Sequence, residues 1–175
     1  MKTARAGKGS IRTYGVAFKK KLPTTDSYLP RGARAKEAVC EGCSAVYRNK
    51  RWYAGTASGV AAGTATVVCP ACLKMRDNFP GGIVTLKGGY VLPHKSDLLR
   101  LVKNEEERAR GFNPLERVMS IRENGHGGVV ISTTNEKLAQ RLGRAIKKAF
   151  HGTVAYGWSH DNKLVRVDWT REAAT

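Results

Sequence analysis

All four cysteines of this chain fall into two C-x-x-C pairs, Cys40-Glu-Gly-Cys43 and Cys69-Pro-Ala-Cys72. Two residues between cysteines let both thiolates of one tight turn face a common atom. Two such turns supply the four tetrahedral sulfur ligands of a structural zinc. Four sulfurs leave no open coordination position, so a zinc ion held this way is a staple and not a catalyst. The 25 residues between the pairs suffice for a hairpin or small subdomain closed at its base by the metal. A disulfide framework would suit a secreted protein. No apolar stretch follows Met1-Lys-Thr-Ala-Arg, so no secretory signal is expected and the chain reads as cytoplasmic. A redox function would need only one pair, at a helix start after a strand. Iron can take the same four ligands, and the spacing leaves zinc and iron both open.

The neighbouring residues fit a small unit folded around a metal. Gly42 and Pro70 lie inside the two turns. The segments 38–40 and 66–69 read as strand ends feeding those turns. Tyr47, Trp52 and Tyr53 either cover the metal site or stack on bases, with covering at least as favoured. Residues 54–66 are nearly all Ala, Gly, Ser, Thr and Val, which reads as a loosely packed connector. That stretch is too poor in Leu, Ile and Phe for a membrane span.

Charge constrains partners more than fold. The chain carries a formal net charge of +17 and a pI near 10.1. Residues 1–51 hold 13 Lys and Arg against three acids, a net +10, and the remaining 124 residues hold +7. Such a surface attracts polyphosphate and binds it in a salt-dependent way. An acidic membrane is the competing partner, but no amphipathic helix with bulky apolar anchors supports it. The candidate nucleic-acid contacts in the first third are Lys2, Arg5, Lys8, Arg12, Lys19, Lys20, Lys21, Arg31, Arg34, Arg48, Lys50 and Arg51. Residues 1–37 show no sustained period and read as a basic extended arm. Gly7-Lys8-Gly9-Ser10 lacks the upstream Gly and the preceding strand of a phosphate loop, so nucleotide hydrolysis is not expected.

The carboxyl-terminal half alternates strand-like and helix-like patterns. Ile83 to Lys87 and Tyr90 to Leu92 read as strands, and Ser96 as the cap of a helix to about Arg110 whose charged second half looks like a solvated connector. Val118 to Arg122 and Gly128 to Ser132 read as strands, and Thr133 with Glu136 matches a capping box. The next helix has an apolar stripe of Leu138, Leu142, Ala145, Ile146 and Ala149. Lys137, Arg141, Arg144 and Lys148 share another face, which is either an ordinary solvated face or an RNA contact. Two more strands follow, Thr153 to Trp158 and Leu164 to Trp169. Trp158, Trp169 and Tyr156 read as core more readily than as base-stacking platforms. The four histidines are scattered and no acid–base pair stands out, so no enzyme is expected.

The expected fold is α+β. A zinc-binding module of 38–94 resembling a zinc ribbon follows the arm. A helical connector of 95–112 leads to an α+β module of 113–171, with one main helix on an antiparallel or mixed sheet.

The order of motifs carries a resemblance: the two cysteine pairs with Arg51-Trp52 between them, then Asn78-Phe-Pro-Gly-Gly, Asn104-Glu-Glu-Glu-Arg, Asn113-Pro-Leu-Glu-Arg and Thr133-Thr-Asn-Glu-Lys-Leu-Ala. Over about residues 38–170 the chain resembles the bacterial relatives of the archaeal and eukaryotic export adaptor of the large ribosomal subunit, a family related to nonsense-mediated-decay proteins. The longer members carry more C-x-x-C pairs than this chain. The resemblance implies structural zinc and contact with ribosomal RNA of the large subunit across tRNA sites, with ribosomal proteins as neighbours. The implied role is hibernation and protection of the ribosome, or subunit assembly, with no membrane and no small-molecule substrate. The rival reading is a zinc-containing DNA-binding transcriptional regulator.

Overall fold

The computed structural model describes residues 28, 37–55, 63–125, 127–159 and 164–173. Two sheets and three helices make it α+β. The first sheet has the order β3-β2-β1-β4, from β1 (Glu37–Cys40), β2 (Val46–Arg48), β3 (Arg51–Tyr53) and β4 (Ala65–Val67). β2 and β3 form a hairpin in which Arg48 faces Arg51 across Asn49 and Lys50. Both turn residues have positive φ, 50° and 61°, as a two-residue type I′ turn requires. The short helix α1 (Pro70–Arg76) follows, with Cys69 as its N-cap and Pro70 at its first position, where a missing N–H costs nothing.

The second sheet has the order β6-β7-β5-β9-β8, and it is mixed. Its strands are β5 (Gly82–Lys87), β6 (Val118–Glu123), β7 (Val129–Thr133), β8 (Thr153–Trp158) and β9 (Val165–Thr170). β5 lies at the centre, antiparallel to β7 and parallel to β9, so Val84 sits between Ile131 and Val167. Alternate residues of these strands are buried: Val84 and Leu86, Val129 and Ile131, Val165, Val167 and Trp169. Helix α3 (Glu136–Phe150) lies across them through Leu138, Ala139, Leu142 and Ile146, and α2 (Lys95–Phe112) packs beside it.

The structure redraws the expected module boundary. β5 is the central strand of the five-stranded sheet, so that domain begins near residue 81 and not at 113. α2 is no solvated connector either, because Leu98, Val102 and Ala109 are fully buried in the shared core. α3 is the one main helix on the mixed sheet, as expected, and α2 packs beside it. α2 starts at Lys95 behind His94, which makes no side-chain cap bond, and it runs past Gly111. The expected strand at 90–92 is a turn. There Tyr90 is sandwiched between the Arg171 guanidinium, 3.8 Å from its ring centre, and the His94 ring at 3.9 Å.

The cap of α3 is Asn135, whose Oδ1 accepts from Leu138 N at 3.0 Å, and not Thr133. Thr133 is the last residue of β7, where its hydroxyl donates to the Asn135 carbonyl. On α3, Ala139 and Gly143 are buried while Ala149 is exposed, which turns the apolar stripe from its expected position.

Gly143 lets α3 approach the sheet, since a Cβ there would meet Val167 Cγ1 at 2.6 Å. Overpacking typically costs about 1–3 kcal/mol, against a helix-propensity gain of at most about 1 kcal/mol for Ala over Gly. Gly143→Ala is therefore expected to lower the thermal midpoint, and an increase in a thermal melt would show that the helix can lift without penalty.

Candidate metal centre and basic surfaces

The parallel pairing of β1 and β4 assembles the cysteine cluster. Both strands run in the same direction, with Cys40 opposite Val67, so both deliver their turns to one end of the small sheet. Glu41 N donates to Val67 O at 3.0 Å across the joint. In the first turn Ser44 adopts φ 58° and its N–H returns to Cys40 O at 2.8 Å. Gly42 keeps this turn open towards Cys72, because a Cβ there would lie 3.2 Å from Cys72 Sγ. The second turn is the start of α1, where Leu73 N bonds Cys69 O at 3.0 Å.

The four Sγ atoms lie within 4.8 Å of one another. Cys40–Cys72 and Cys43–Cys69 are each separated by 3.7 Å. A tetrahedron with metal–sulfur bonds of about 2.3 Å has edges of about 3.8 Å, so the spacing suits a zinc-type ion. All four cysteines are free thiols. Backbone N–H groups support the sulfurs as well: Cys69 N donates to Cys40 Sγ at 3.2 Å, and Cys72 N to Cys69 Sγ at 3.4 Å. The four cysteines thus form a candidate metal site, with zinc as the fitting ion.

The apolar support around this site is thin. Its buried residues are Cys40, Ala45, Cys69 and Ala71, with Trp52 and Leu115 packed on them. Trp52 also meets the Tyr47 ring at 5.3 Å, so this pair covers the cluster's surroundings. A module of this size rarely folds on its own core. Metal binding on the order of 10–16 kcal/mol at a four-thiolate site is large against so few buried side chains.

No protein-family model, curated protein or solved structure matches this chain.

Electrostatics separates the four sulfurs. Burial pushes the Cys69 and Cys72 thiols up. Burial also raises Cys43, but the Ala45 backbone N–H and the Arg117 guanidinium outweigh it and bring that thiol down to about 7. Arg117 is a neighbour of the cysteine cluster that was not among the expected site residues. Its guanidinium donates to Cys72 Sγ at 3.7 Å and to Pro114 O at 2.8 Å. It lies 45 residues beyond Cys72, at the end of Asn113-Pro-Leu-Glu-Arg, a run that does not link it to the cysteines.

The expected RNA contacts divide in three. Lys2, Arg5, Lys8, Arg12, Lys19, Lys20, Lys21, Arg31 and Arg34 lie outside the described residues. Arg48, Lys50 and Arg51 are exposed together at the tip of the β2–β3 hairpin, and Arg48 rests over the Tyr53 ring at 4.8 Å. Lys137, Arg144 and Lys148 are exposed along α3, and Arg141 is half-buried on the same helix. None of these seven forms an ion pair among the described residues. Trp169 is fully buried, whereas Trp158 is 59% exposed and stacks against Tyr156. The expectation of core packing therefore fails for Trp158. Tyr28 is one further unpredicted contact. Its hydroxyl donates to Asp77 at 3.1 Å and its ring meets Phe79 at 5.4 Å, which tethers this point of the chain beside the end of α1. No helix among the described residues is long and apolar enough to cross a membrane.

Cys69→Ser is expected to abolish metal retention and to expose residues 37–77 to fast hydrogen exchange, while β5, β7 and β9 stay protected. Metal analysis and exchange mass spectrometry check both halves, and retained metal with unchanged exchange would contradict them. The metal must displace protons from Cys69 and Cys72, so its affinity rises with pH. Retention against a chelator is expected to fall steadily from about pH 8 to about pH 5, with Cys43 adding proton competition as the pH drops through about 7. Flat retention across that range would contradict ligation by thiolates.

Proposed function

We propose that this protein is a non-enzymatic, ribosome-associated zinc protein that binds ribosomal RNA of the large subunit. In this reading a structural zinc in the four-cysteine site fixes the β2–β3 hairpin, and the five-stranded domain carries the second RNA contact on α3. The observation that carries the reading is the outward face of α3. Lys137, Arg144 and Lys148 are exposed there and Arg141 is half-buried, with no acidic partner among the described residues.

From Lys137 to Lys148 these cations span about 16 Å of helix at about 1.5 Å per residue, which matches a charged polymer better than a point ligand. Arg48, Lys50 and Arg51 repeat the pattern on a turn whose geometry is set by hydrogen bonding and not by salt bridges. Exposed Trp158 offers an aromatic face of the kind on which unpaired bases stack. The net charge of +17 supports a polyanionic partner, and the motif resemblance supports the ribosome as its source. Occupying functional tRNA-site surfaces, for protection of an idle ribosome or during subunit assembly, is the corresponding role. The helices are separated by strands, so the described residues contain no helix-turn-helix to favour DNA.

Replacing Lys137, Arg141, Arg144 and Lys148 together by Gln is expected to weaken binding to large-subunit RNA. It should also lower the slope of log affinity against log salt by about 3, at about 0.7–0.9 for each phosphate no longer neutralised. Filter binding over a salt series, with co-sedimentation of the full chain and large subunits, checks this. An unchanged slope would remove α3 from the interface, and a wild-type protein that stays clear of ribosomal subunits at low salt would overturn the ribosomal reading.

A further inference from the structure

Arg117 belongs to neither cysteine pair, yet it is half-buried against them and donates to Cys72 Sγ at 3.7 Å. A divalent ion held by four thiolates leaves a net charge of about −2 in a partly buried place. Such a charge is costly to bury unless a compensating charge lies close by.

The backbone of Arg117 is fixed from another part of the fold. Its N–H donates to Thr134 Oγ1 at 2.9 Å, and its carbonyl accepts from Thr134 N at 2.9 Å. Thr134 is buried and precedes Asn135, the cap of α3. One residue further on, Val118 N donates to Glu106 Oε1 on α2 at 2.9 Å. Leu115, two residues earlier, packs on the cysteine cluster. The side chain of Arg117 thus reaches the sulfurs while its main chain bonds Thr134 just ahead of α3, and the next residue bonds Glu106 in the second half of α2.

We propose that Arg117 is the positioning residue that compensates the charge of the four-thiolate site and so links metal binding to the seating of the cysteine module on the five-stranded domain. The proposal rests on the metal reading of the site. With metal bound, the anionic sulfurs hold the guanidinium. Without the metal-bound centre that attraction falls away, and Arg117 keeps its Pro114 and Thr134 anchors. The linkage is reciprocal, so loosening the clasp weakens the metal by the same factor. The guanidinium suits the position because its fork donates to Cys72 Sγ and Pro114 O at once, which a single ammonium on a flexible stem does less well.

The test uses the full chain and Co2+ as the probe, titrated against a chelator and read by thiolate-to-cobalt absorption. Arg117→Gln is expected to weaken Co2+ binding by about 10–100-fold, the usual effect of losing an outer partner of a metal ligand. Arg117→Lys should recover part of that loss, whereas Arg117→Met, which fills similar space without charge, should not. Hydrogen exchange supplies the second readout. Metal removal from the wild type should speed exchange at the amides of Thr134 and Val118 but not at Val167 in β9. Arg117→Gln should show the faster rates with metal still bound. Wild-type affinity in the Gln and Met variants, or protection of Thr134 that ignores the metal, would overturn the proposal alone. A wild-type protein that takes up no Co2+ would overturn the metal reading and this proposal with it.

Discussion

Four sulfurs within 4.8 Å of one another cannot all carry charge unless a cation sits among them, and the amino-terminal part of the fold depends on that constraint. The small sheet offers little else to hold it. Its strands are three or four residues long, and its buried side chains are two cysteines and a few alanines. Burial pushes the Cys69 and Cys72 thiols up, so a metal entering the site would have to displace their protons. With a metal, the parallel strands β1 and β4, the β2–β3 hairpin and the start of α1 share one point of attachment.

The five-stranded domain stands on different physics. Its core is a continuous apolar layer between one face of the sheet and two helices, from Leu98 on α2 to Trp169 on β9. Trp169 fills that layer and donates from Nε1 to His151 O at 2.7 Å, so its polar atom is satisfied where α3 ends. This domain does not need the metal for its core. What it receives from the cysteine site is a fixed neighbour, and Arg117 is where the two meet. Basic residues stand on both units: the tip of a hairpin in the sheet that carries the candidate metal site, and a helix held by hydrophobic packing.

The parts of this arrangement visible in the sequence are those set by local spacing. The C-x-x-C pairs mark the cluster, period-two runs mark β6 to β9 within a residue or two, and helical spacing marks α3. Long-range pairing is not legible. Nothing in Gly82–Lys87 says that its partners are β7 and β9, because Val165 reaches Gly82 only after the whole domain has folded. The second half of α2 reads as a solvated connector because Ala109 is the one buried residue there among charged neighbours, which an apolar count overlooks. Glu105 pairs with Arg108 one turn on, so charge that resembles a solvated connector decorates a packed helix. Asn135 takes the cap from Thr133 because strand pairing has already claimed Thr133. Arg117 is visible in the sequence only as the end of Asn113-Pro-Leu-Glu-Arg, and nothing in that run shows that it meets Cys72, 45 residues away.

Cys40, Cys43, Cys69 and Cys72 could together hold one metal ion, and in the proposed reading that ion alone organises the amino-terminal module. X-ray absorption at the metal edge of the purified full chain tests this most directly. The expected result is one metal per chain with four sulfur neighbours at about 2.3 Å and no nitrogen or oxygen ligand. Nitrogen or oxygen bound directly to the metal, or a folded protein with no bound metal and its cysteines oxidised to disulfides, would contradict it.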